Sequence, residues 1–112
     1  MKLENVENVK PEDVGEFGEK TTIRWLISKK EGARNYAMRY FVMEKGGYIK
    51  THKHPWEHEI FIVKGKGKAG TEKELHDVKP GDFLFIPENE SHQYINTFEE
   101  SLEFICIIPV KE

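Results

Sequence analysis

The sequence predicts an all-β protein, a β-sandwich or small barrel with little or no helix. Short runs of β-branched, aromatic and other apolar residues alternate with turns rich in Gly and Pro, which is typical of many short strands joined by tight connections. No segment keeps the 3.6-residue apolar period of a buried helix over three turns. A chain of 112 residues has room for one hydrophobic core but not two, so we expect one domain.

Each predicted strand is an apolar or alternating run that ends at a turn signal. The predicted strands cover residues 22–27, 36–43, 48–54, 58–63, 83–87, 92–96 and 102–108. Gly46 and Gly47 are expected to end the second of these strands, and the continuous apolar run from Phe83 predicts a buried strand. On the last strand, Phe104, Cys106 and Ile108 share one face because side chains alternate along a strand.

Residues 1–20 are polar, contain two glycines and a proline, and have no clear period. They are expected to form an N-terminal arm, and residues 21–112 the single barrel domain. Such an arm is ordered only when something holds it. A strand in the arm that pairs with a second subunit would do so, and we therefore predict a homodimer.

Composition narrows the classes of function. The net charge is −3 and lysines alternate with glutamates, so no concentrated basic surface for nucleic acid is expected. The longest apolar run, residues 104–110, contains Pro109 and is too short to cross a membrane, and no apolar secretion signal follows Met1. We expect a cytoplasmic protein, which fits a single cysteine. The excess of Lys and Glu over Arg and Asp is a bias reported for proteins of hyperthermophiles.

Three of the five histidines lie within seven residues, at His52, His54 and His58. His52 and His54 share a face of an extended strand, but a straight strand would carry His58 about 20 Å from His52. Pro55 is suited to a turn that brings His58 back. Imidazoles that converge in this way bind a divalent metal, with the distant His92 as a fourth ligand. The alternative is a polar loop with solvated histidines.

These residues resemble the two sequence motifs of the cupin family. The first motif is represented by Gly46, His52, His54, Glu59 and Gly65, and the second by Gly81, Pro87, His92 and Asn96. Asn89 stands where the second motif has glycine, and asparagine tolerates the left-handed backbone conformation that glycine adopts there. The resemblance implies a small jelly-roll barrel of antiparallel strands with one metal ion inside it.

The ligand set departs from the usual cupin pattern of three histidines and one glutamate. His58 stands before Glu59, and neighbouring residues of a strand point to opposite faces. His52, His54, His58 and His92 thus resemble the four-histidine set of small manganese-binding cupins of thermophilic bacteria, with Glu59 in place of His58 as the alternative. The resemblance implies one divalent ion per chain, with manganese expected first and iron, copper, nickel or zinc as alternatives.

Four further residues are candidates for the pocket around the ion. Arg39 lies between apolar residues of a strand, either as an outward charge or as a group that positions an anion in the cavity. Trp56 is expected to cover the metal or contact a second subunit, and Tyr94 shares the face of His92. Cys106 is expected to form a small apolar wall of the pocket rather than a redox group.

A metal with four protein ligands has open positions for a small anionic or bidentate substrate, or for substrate and dioxygen side by side. No dedicated base is evident, so we predict a metal-dependent oxidoreductase of the dioxygenase type. A metal-dependent isomerase or lyase acting on a sugar or keto acid is the first alternative, with Tyr94, Glu57 or Glu59 carrying protons. A non-catalytic module that binds a small ligand is the second, because fold alone does not decide function.

Overall fold

The structure of the chain, a computed structural model, describes residues 1–110, and strands account for most of its regular structure. The strands in this range are β1 (Glu12–Asp13), β2 (Gly18–Ile27), β3 (Tyr36–His52), β4 (His58–Lys64), β5 (Gly67–Gly70), β6 (Leu75–Val78), β7 (Phe83–Ile86), β8 (His92–Ile95) and β9 (Leu102–Pro109). The helical segments within residues 1–110 are short 3-10 turns, at Val6–Asn8, Gly15–Phe17 and Lys29–Glu31. The all-β prediction is confirmed. In the described part of the chain, no helix has the length and apolar character needed to cross a membrane.

The strands form one curled antiparallel sheet in the order β6-β5-β8-β3-β9-β4-β7, to which β2 and β1 add beside β3. β3 lies at the centre because it pairs with β2, β8 and β9 along different parts of its length. The twist of the sheet brings its concave face around the apolar core. This arrangement agrees with the jelly-roll barrel that the family resemblance implies.

β3 does not end at Gly46 and Gly47, and that prediction is wrong. The strand continues to His52 and bends at the two glycines, where Gly46 has a φ of 80°. A Cβ on Gly47 would lie 2.8 Å from the carbonyl oxygens of Glu44 and Lys20, so the close approach of backbone requires glycine. The backbone N–H of Asn96 donates to the Gly47 carbonyl, and the backbone carbonyl of Asn96 accepts from the N–H of Gly46. The bend lets the first half of β3 pair with β9 and the second half with β8.

Strand alternation correctly predicts much of the interior. His58, Ile60 and Ile62 of β4 face inward together, as do Phe104 and Cys106 of β9. The buried apolar residues are Ile23, Ala37, Phe41, Met43, Ile49, Ile60, Ile62, Ala69, Val78, Ile86, Tyr94, Leu102, Phe104, Cys106 and Ile108. Most of them lie on β3, β4 and β9, three strands that also carry Arg39, His52, His58 and Cys106.

The prediction that the strand beginning at Phe83 is buried is wrong. Within β7 only Ile86 is buried, whereas Phe83 is 80% and Phe85 55% exposed. Phe83 and Phe85 point to the outer face of the sheet, opposite Phe61 and Glu59 of β4, and these four residues are all exposed. A continuous apolar run therefore does not distinguish a strand buried on both faces from one with an apolar outer face.

The N-terminal arm lies against its own barrel. β1 pairs with β2, with Glu12 opposite Ile23, and the Arg24 Nε donates a hydrogen bond to the Val9 carbonyl. β2 begins at Gly18, earlier than the predicted residue 22, because the polar residues at its start pair with the bent part of β3. The pairing of an arm strand with a second subunit remains a prediction.

Candidate functional site

The concave face of the sheet holds a cavity of about 360 Å³ whose wall includes both β-strand and arm residues. All eight residues predicted for the site line this cavity: Arg39, His52, His54, Trp56, His58, His92, Tyr94 and Cys106. Glu59, the alternative ligand, lies on the outer face of β4 and is exposed, as strand alternation from the buried His58 requires. The arrangement therefore favours His58 over Glu59 as the side chain that reaches the cavity.

Three strands and one turn position the histidines. His52 ends β3 and is the direct cross-strand partner of His92, which begins β8. His58 begins β4, and His54 lies in the turn between β3 and β4, two residues beyond the observed end of β3. Asn89 donates its backbone N–H to the His54 carbonyl at 2.7 Å and has a φ of 66°, the left-handed conformation predicted for it.

The distances between the imidazole rings fit ligands of one ion. Two imidazoles bound to the same ion at about 2.1 Å have ring centres about 4.5 Å apart when adjacent and about 6.5 Å apart when opposite. The ring centres of His52 and His92 are 4.3 Å apart, those of His58 and His92 4.7 Å, and those of His52 and His54 4.9 Å. The centres of His54 and His58 are 5.4 Å apart, and those of His54 and His92 6.4 Å. The rings therefore surround one small volume.

Hydrogen bonds determine which nitrogens are available in two of the rings. The Nδ1 of His52 lies 2.8 Å from the Lys50 carbonyl oxygen, and the Nδ1 of His92 lies 2.9 Å from the Glu90 carbonyl oxygen. A carbonyl only accepts, so each Nδ1 carries the proton and each Nε2 keeps its lone pair. The Nε2 of His92 is buried and has no hydrogen-bond partner. Backbone carbonyls thus orient both rings as they do in metal-binding histidines.

Burial keeps three of the rings neutral. Desolvation lowers the pKa of His52, His58 and His92, and the nearby charge of Arg39 acts in the same direction on each. The pKa of His58 falls to about 3. Its Nδ1 is buried without a hydrogen-bond partner. These imidazoles are therefore neutral at pH 7, the protonation state that a metal ligand requires.

The four histidines thus fit a divalent ion in residue type and ring spacing, and three of them also in protonation state. Within residues 1–110, however, no group of three or more His, Cys, Asp or Glu side chains has its donors arranged to hold an ion as they stand. His54 stacks on the Trp56 ring, with ring centres 4.4 Å apart and planes 8° from parallel. Trp56 thus lies beside a candidate ligand, and the metal itself remains a proposal.

Arg39 occupies the cavity rather than the outer surface, which answers the alternative left open by the sequence. Its guanidinium lies 5.5 Å from the centre of the Trp25 ring and 5.1 Å from that of Phe41. Its Nη2 donates to the Cys106 sulfur at 2.9 Å. Trp25 and Cys106 are the cross-strand neighbours of Arg39 on β2 and β9. Pairing between strands distant in sequence creates this cluster, so the sequence alone did not identify Trp25 or Phe41 as site residues.

Tyr94 and Cys106 keep their protons in this environment. Burial raises the pKa of the Tyr94 hydroxyl well above its usual value, with a further contribution from Cys106. Burial also raises the pKa of the Cys106 thiol, although the adjacent Arg39 opposes that change. A neutral, 2% exposed thiol fits the predicted wall of the pocket.

The arm supplies lining residues that the sequence did not indicate, namely Glu12, Asp13, Val14 and Phe17. The Phe17 ring centre lies 6.0 Å from that of His52. Glu12 and Asp13 are exposed carboxylates at the edge of the cavity. The predicted proton carriers Glu57 and Glu59 are exposed and do not line it.

Comparison with known proteins shows a family match over most of the barrel. Residues 39–108 match the Cupin domain. The chain is 35% identical over 86 residues to an oxalate-binding protein of Thermotoga maritima, covering 74% of this chain and 70% of that protein. It is 32% identical over 71 residues to 1-methylthio-D-xylulose 5-phosphate methylsulfurylase of Rhodospirillum rubrum, covering 63% of this chain but only 46% of that enzyme.

Two solved structures are similar over nearly the whole chain. A polyketide cyclase of Streptomyces resistomycificus aligns with a TM-score of 0.94 and 30% identity over 99% of this chain and 80% of that one. A protein of Thermotoga maritima described as a predicted oxalate decarboxylase aligns with a TM-score of 0.85 and 25% identity over 98% of this chain and 100% of that one. Together with the domain match, these similarities show that the chain belongs to the cupin family.

Proposed function

We propose that the protein is a metal-dependent cupin enzyme that acts on a small oxygenated molecule at a single ion held by His52, His54, His58 and His92. The observation that supports this most is the group of imidazole rings around one volume inside the cavity, three of which burial keeps neutral. A buried nitrogen without a partner is unfavourable, and the Nε2 of His92 and Nδ1 of His58 are two such atoms. A divalent ion that accepts lone pairs from these rings would offset that cost.

The bound ion would act as a Lewis acid that stabilises negative charge developing on a substrate oxygen. Four neutral imidazoles leave its two positive charges uncompensated, which favours anionic ligands. Manganese remains the expected metal, and iron, copper, nickel and zinc are the alternatives because imidazole binds all of them.

The protein's own contribution is to bind the substrate, exclude water and hold protons in place. Phe41, Ile49 and Phe104 supply apolar walls that strengthen electrostatic interactions in the cavity. Tyr94 presents a protonated hydroxyl beside His92, with the two ring centres 5.7 Å apart. Among the cavity residues, a carboxylate base is available only at the edge, from Glu12 and Asp13. The centre of the cavity therefore has little capacity for acid–base chemistry by side chains.

An oxidoreductase in which the ion binds both substrate and dioxygen needs few side-chain bases. The small number of bases in the cavity therefore supports the oxidoreductase predicted from the sequence. The second candidate is a non-redox reaction of an enolisable carbonyl compound, and the similarity to a polyketide cyclase over 99% of the chain favours it. The similarity to an oxalate-binding protein and to a polyketide cyclase supports a small oxygenated ligand for either candidate. A purely ligand-binding role is the third outcome of the test.

Elemental analysis of protein from a metal-supplemented host should find close to one divalent ion per chain, and the His92→Ala variant should lose it. The metal-loaded protein is then incubated with the enolisable diketone 1-phenyl-1,3-butanedione in an oxygen electrode. Oxygen consumption supports the oxidoreductase, whereas anaerobic conversion of the diketone supports the non-redox enzyme. Metal binding without any turnover supports the ligand-binding role. Absence of metal from the wild-type protein contradicts the proposal.

A further inference from the structure

Arg39 places a guanidinium in the same cavity as the histidine cluster. Arg39 is paired across the sheet with Trp25 of β2 on one side and with Cys106 of β9 on the other. Phe41 follows Arg39 by two residues on β3 and lines the same cavity. The two aromatic rings lie 5.5 and 5.1 Å from the guanidinium and favour a cation through their π-faces. Three strands thus hold the side chain in the cavity wall.

The hydrogen-bonding capacity of this guanidinium is largely unused. It has five N–H donors, and its described polar contact is the single bond from Nη2 to the thiol of Cys106. Its Nε is buried and has no hydrogen-bond partner. Within residues 1–110, no Asp or Glu forms an ion pair with Arg39. A guanidinium at this position therefore lacks the planar oxyanion that its geometry matches.

The nearest acidic residues of the cavity do not fill that role. Glu12 and Asp13 are on the exposed strand of the arm, and the Asp13 Oδ1 accepts a hydrogen bond from the backbone N–H of Gly15. The two ring faces offset only part of the cost of removing this cation from water, and an anion would offset the rest. Within residues 1–110 no acidic side chain therefore satisfies Arg39, and an external anion is the partner that its geometry fits.

We propose that Arg39 binds the carboxylate of an organic acid whose apolar, planar body lies against the aromatic walls of the cavity. The carboxylate takes the free N–H groups of the guanidinium in a bidentate pair. Trp25, Phe41 and Phe104 provide flat apolar surface beside it. The cavity of about 360 Å³ lies within the size range of small-molecule sites. The other oxygens of that acid would face the histidines, and this part of the inference rests on the proposed function.

Lysine would not be equivalent at this position. An ammonium is a compact point charge that cannot present two parallel N–H groups, and it is more strongly hydrated than a guanidinium. The ring faces on either side of Arg39 suit the flat, weakly hydrated guanidinium. Substitution by lysine thus separates a requirement for positive charge from a requirement for the planar fork.

Titration calorimetry with benzoate tests the proposal, using the full chain after chelation so that Arg39 is probed without a metal. Benzamide, the neutral analogue, measures binding of the aromatic body alone. Arg39→Met and Arg39→Lys remove the charge and the fork respectively, and Arg34→Met removes an exposed arginine of the same size elsewhere. Circular dichroism confirms that each variant is folded, and Arg39→Lys decides the question where Arg39→Met does not fold.

We expect benzoate to bind at least about tenfold more tightly than benzamide, since a charge-assisted bidentate pair contributes that much. Affinity for benzoate should fall by about tenfold or more in Arg39→Met, fall less in Arg39→Lys and stay unchanged in Arg34→Met. Equal affinities for benzoate and benzamide, unchanged benzoate affinity in the folded Arg39 variants, or no benzoate binding by the wild-type protein would overturn the proposal.

The two proposals fail separately. If the histidine cluster does not bind a metal, elemental analysis will find no ion in the wild-type protein. Binding of benzoate by the chelated chain would be unaffected by that result. Conversely, a protein that retains one ion per chain but binds benzoate independently of Arg39 keeps the metal centre and loses the carboxylate site.

Discussion

His52 and His92 are direct cross-strand neighbours, with ring centres 4.3 Å apart and each Nδ1 beside a backbone carbonyl two residues earlier in the chain. They lie 40 residues apart in sequence (92 − 52) and belong to different motifs. The register between β3 and β8 therefore joins the two motifs into one site. Any change that shifts this register should separate the rings.

Manganese should stabilise the wild-type protein but not a His52→Gln variant. An ion present at about 100 times its dissociation constant adds about 2.7 kcal/mol to the free energy of unfolding, because it binds only the folded chain. Thermal unfolding with MnCl₂, and again after chelation, measures the effect. His76→Gln is the matched control, since His76 is exposed and outside the histidine cluster. Equal stabilisation of all three proteins would contradict the site.

The metal-free protein should lose stability as the pH falls below about 6.5. His58 has an ordinary pKa of 6.5 when unfolded and about 3 when folded, so between these values the unfolded chain binds more protons. The free energy of unfolding should drop by about 2 kcal/mol from pH 7 to about pH 4.5 through this group. Urea titrations measure the slope, which should be shallower in His58→Gln. An identical slope in that variant would contradict the assignment.

Asn96→Ala should destabilise the barrel strongly. The Asn96 side chain is fully buried, donates from Nδ2 to the carbonyls of Met43 and Glu100, and accepts from the N–H of Phe98. Its loss removes the partners of the Met43 carbonyl, which is buried, of the Glu100 carbonyl and of the Phe98 N–H, and we expect a decrease of about 3 kcal/mol in the free energy of unfolding.

Urea denaturation measures the effect of this substitution. Gln93→Ala is a milder control, because the half-buried Gln93 amide donates to one carbonyl, that of Thr71. Similar losses in the two variants would show that Asn96 does not stabilise the bend of β3.

The sequence predicts a homodimer through pairing of the N-terminal arm, but the exposed outer face of β4 and β7 predicts a different dimer interface. Phe61 is directly opposite Phe83, and together with Val63 and Phe85 they form an exposed apolar patch. These four side chains expose about 400 Å². This is about half of the roughly 800 Å² that each partner buries in a standard interface, and such interfaces are only partly apolar. A second copy of the chain offers the same patch across a two-fold axis.

Light scattering after gel filtration should find a dimer for the wild-type protein and a monomer for the Phe61→Thr/Phe83→Thr double variant. Deletion of residues 1–10 is the matched comparison, because it removes the start of the arm and leaves the patch unchanged. A dimer lost only on that deletion would favour pairing through the arm instead. A monomeric wild-type protein would contradict both versions of the prediction.

Local patterns predict the parts of this protein that depend on the strand repeat. The inward faces of β4 and β9 follow from alternation of side chains, and the spacing of the histidines predicts that they meet across a turn. Asn89 adopts the left-handed conformation expected from its position in the motif. The sequence by itself thus determined the all-β class and the cupin family resemblance, and it indicated eight of the residues that line the cavity, because strand alternation and motif spacing are local patterns.

Other features depend on which strands become neighbours, and only the tertiary structure decided them. The bend of β3 follows from close contact of Gly47 with the backbone of β2, and the exposure of Phe83 follows from its place on the outer face of the sheet opposite Phe61. Arg39 enters the cavity because Trp25 and Cys106 become its neighbours across the sheet. Those contacts join residues that are far apart in the chain, so no local period encodes them, and the register of the folded sheet determines what each side chain touches.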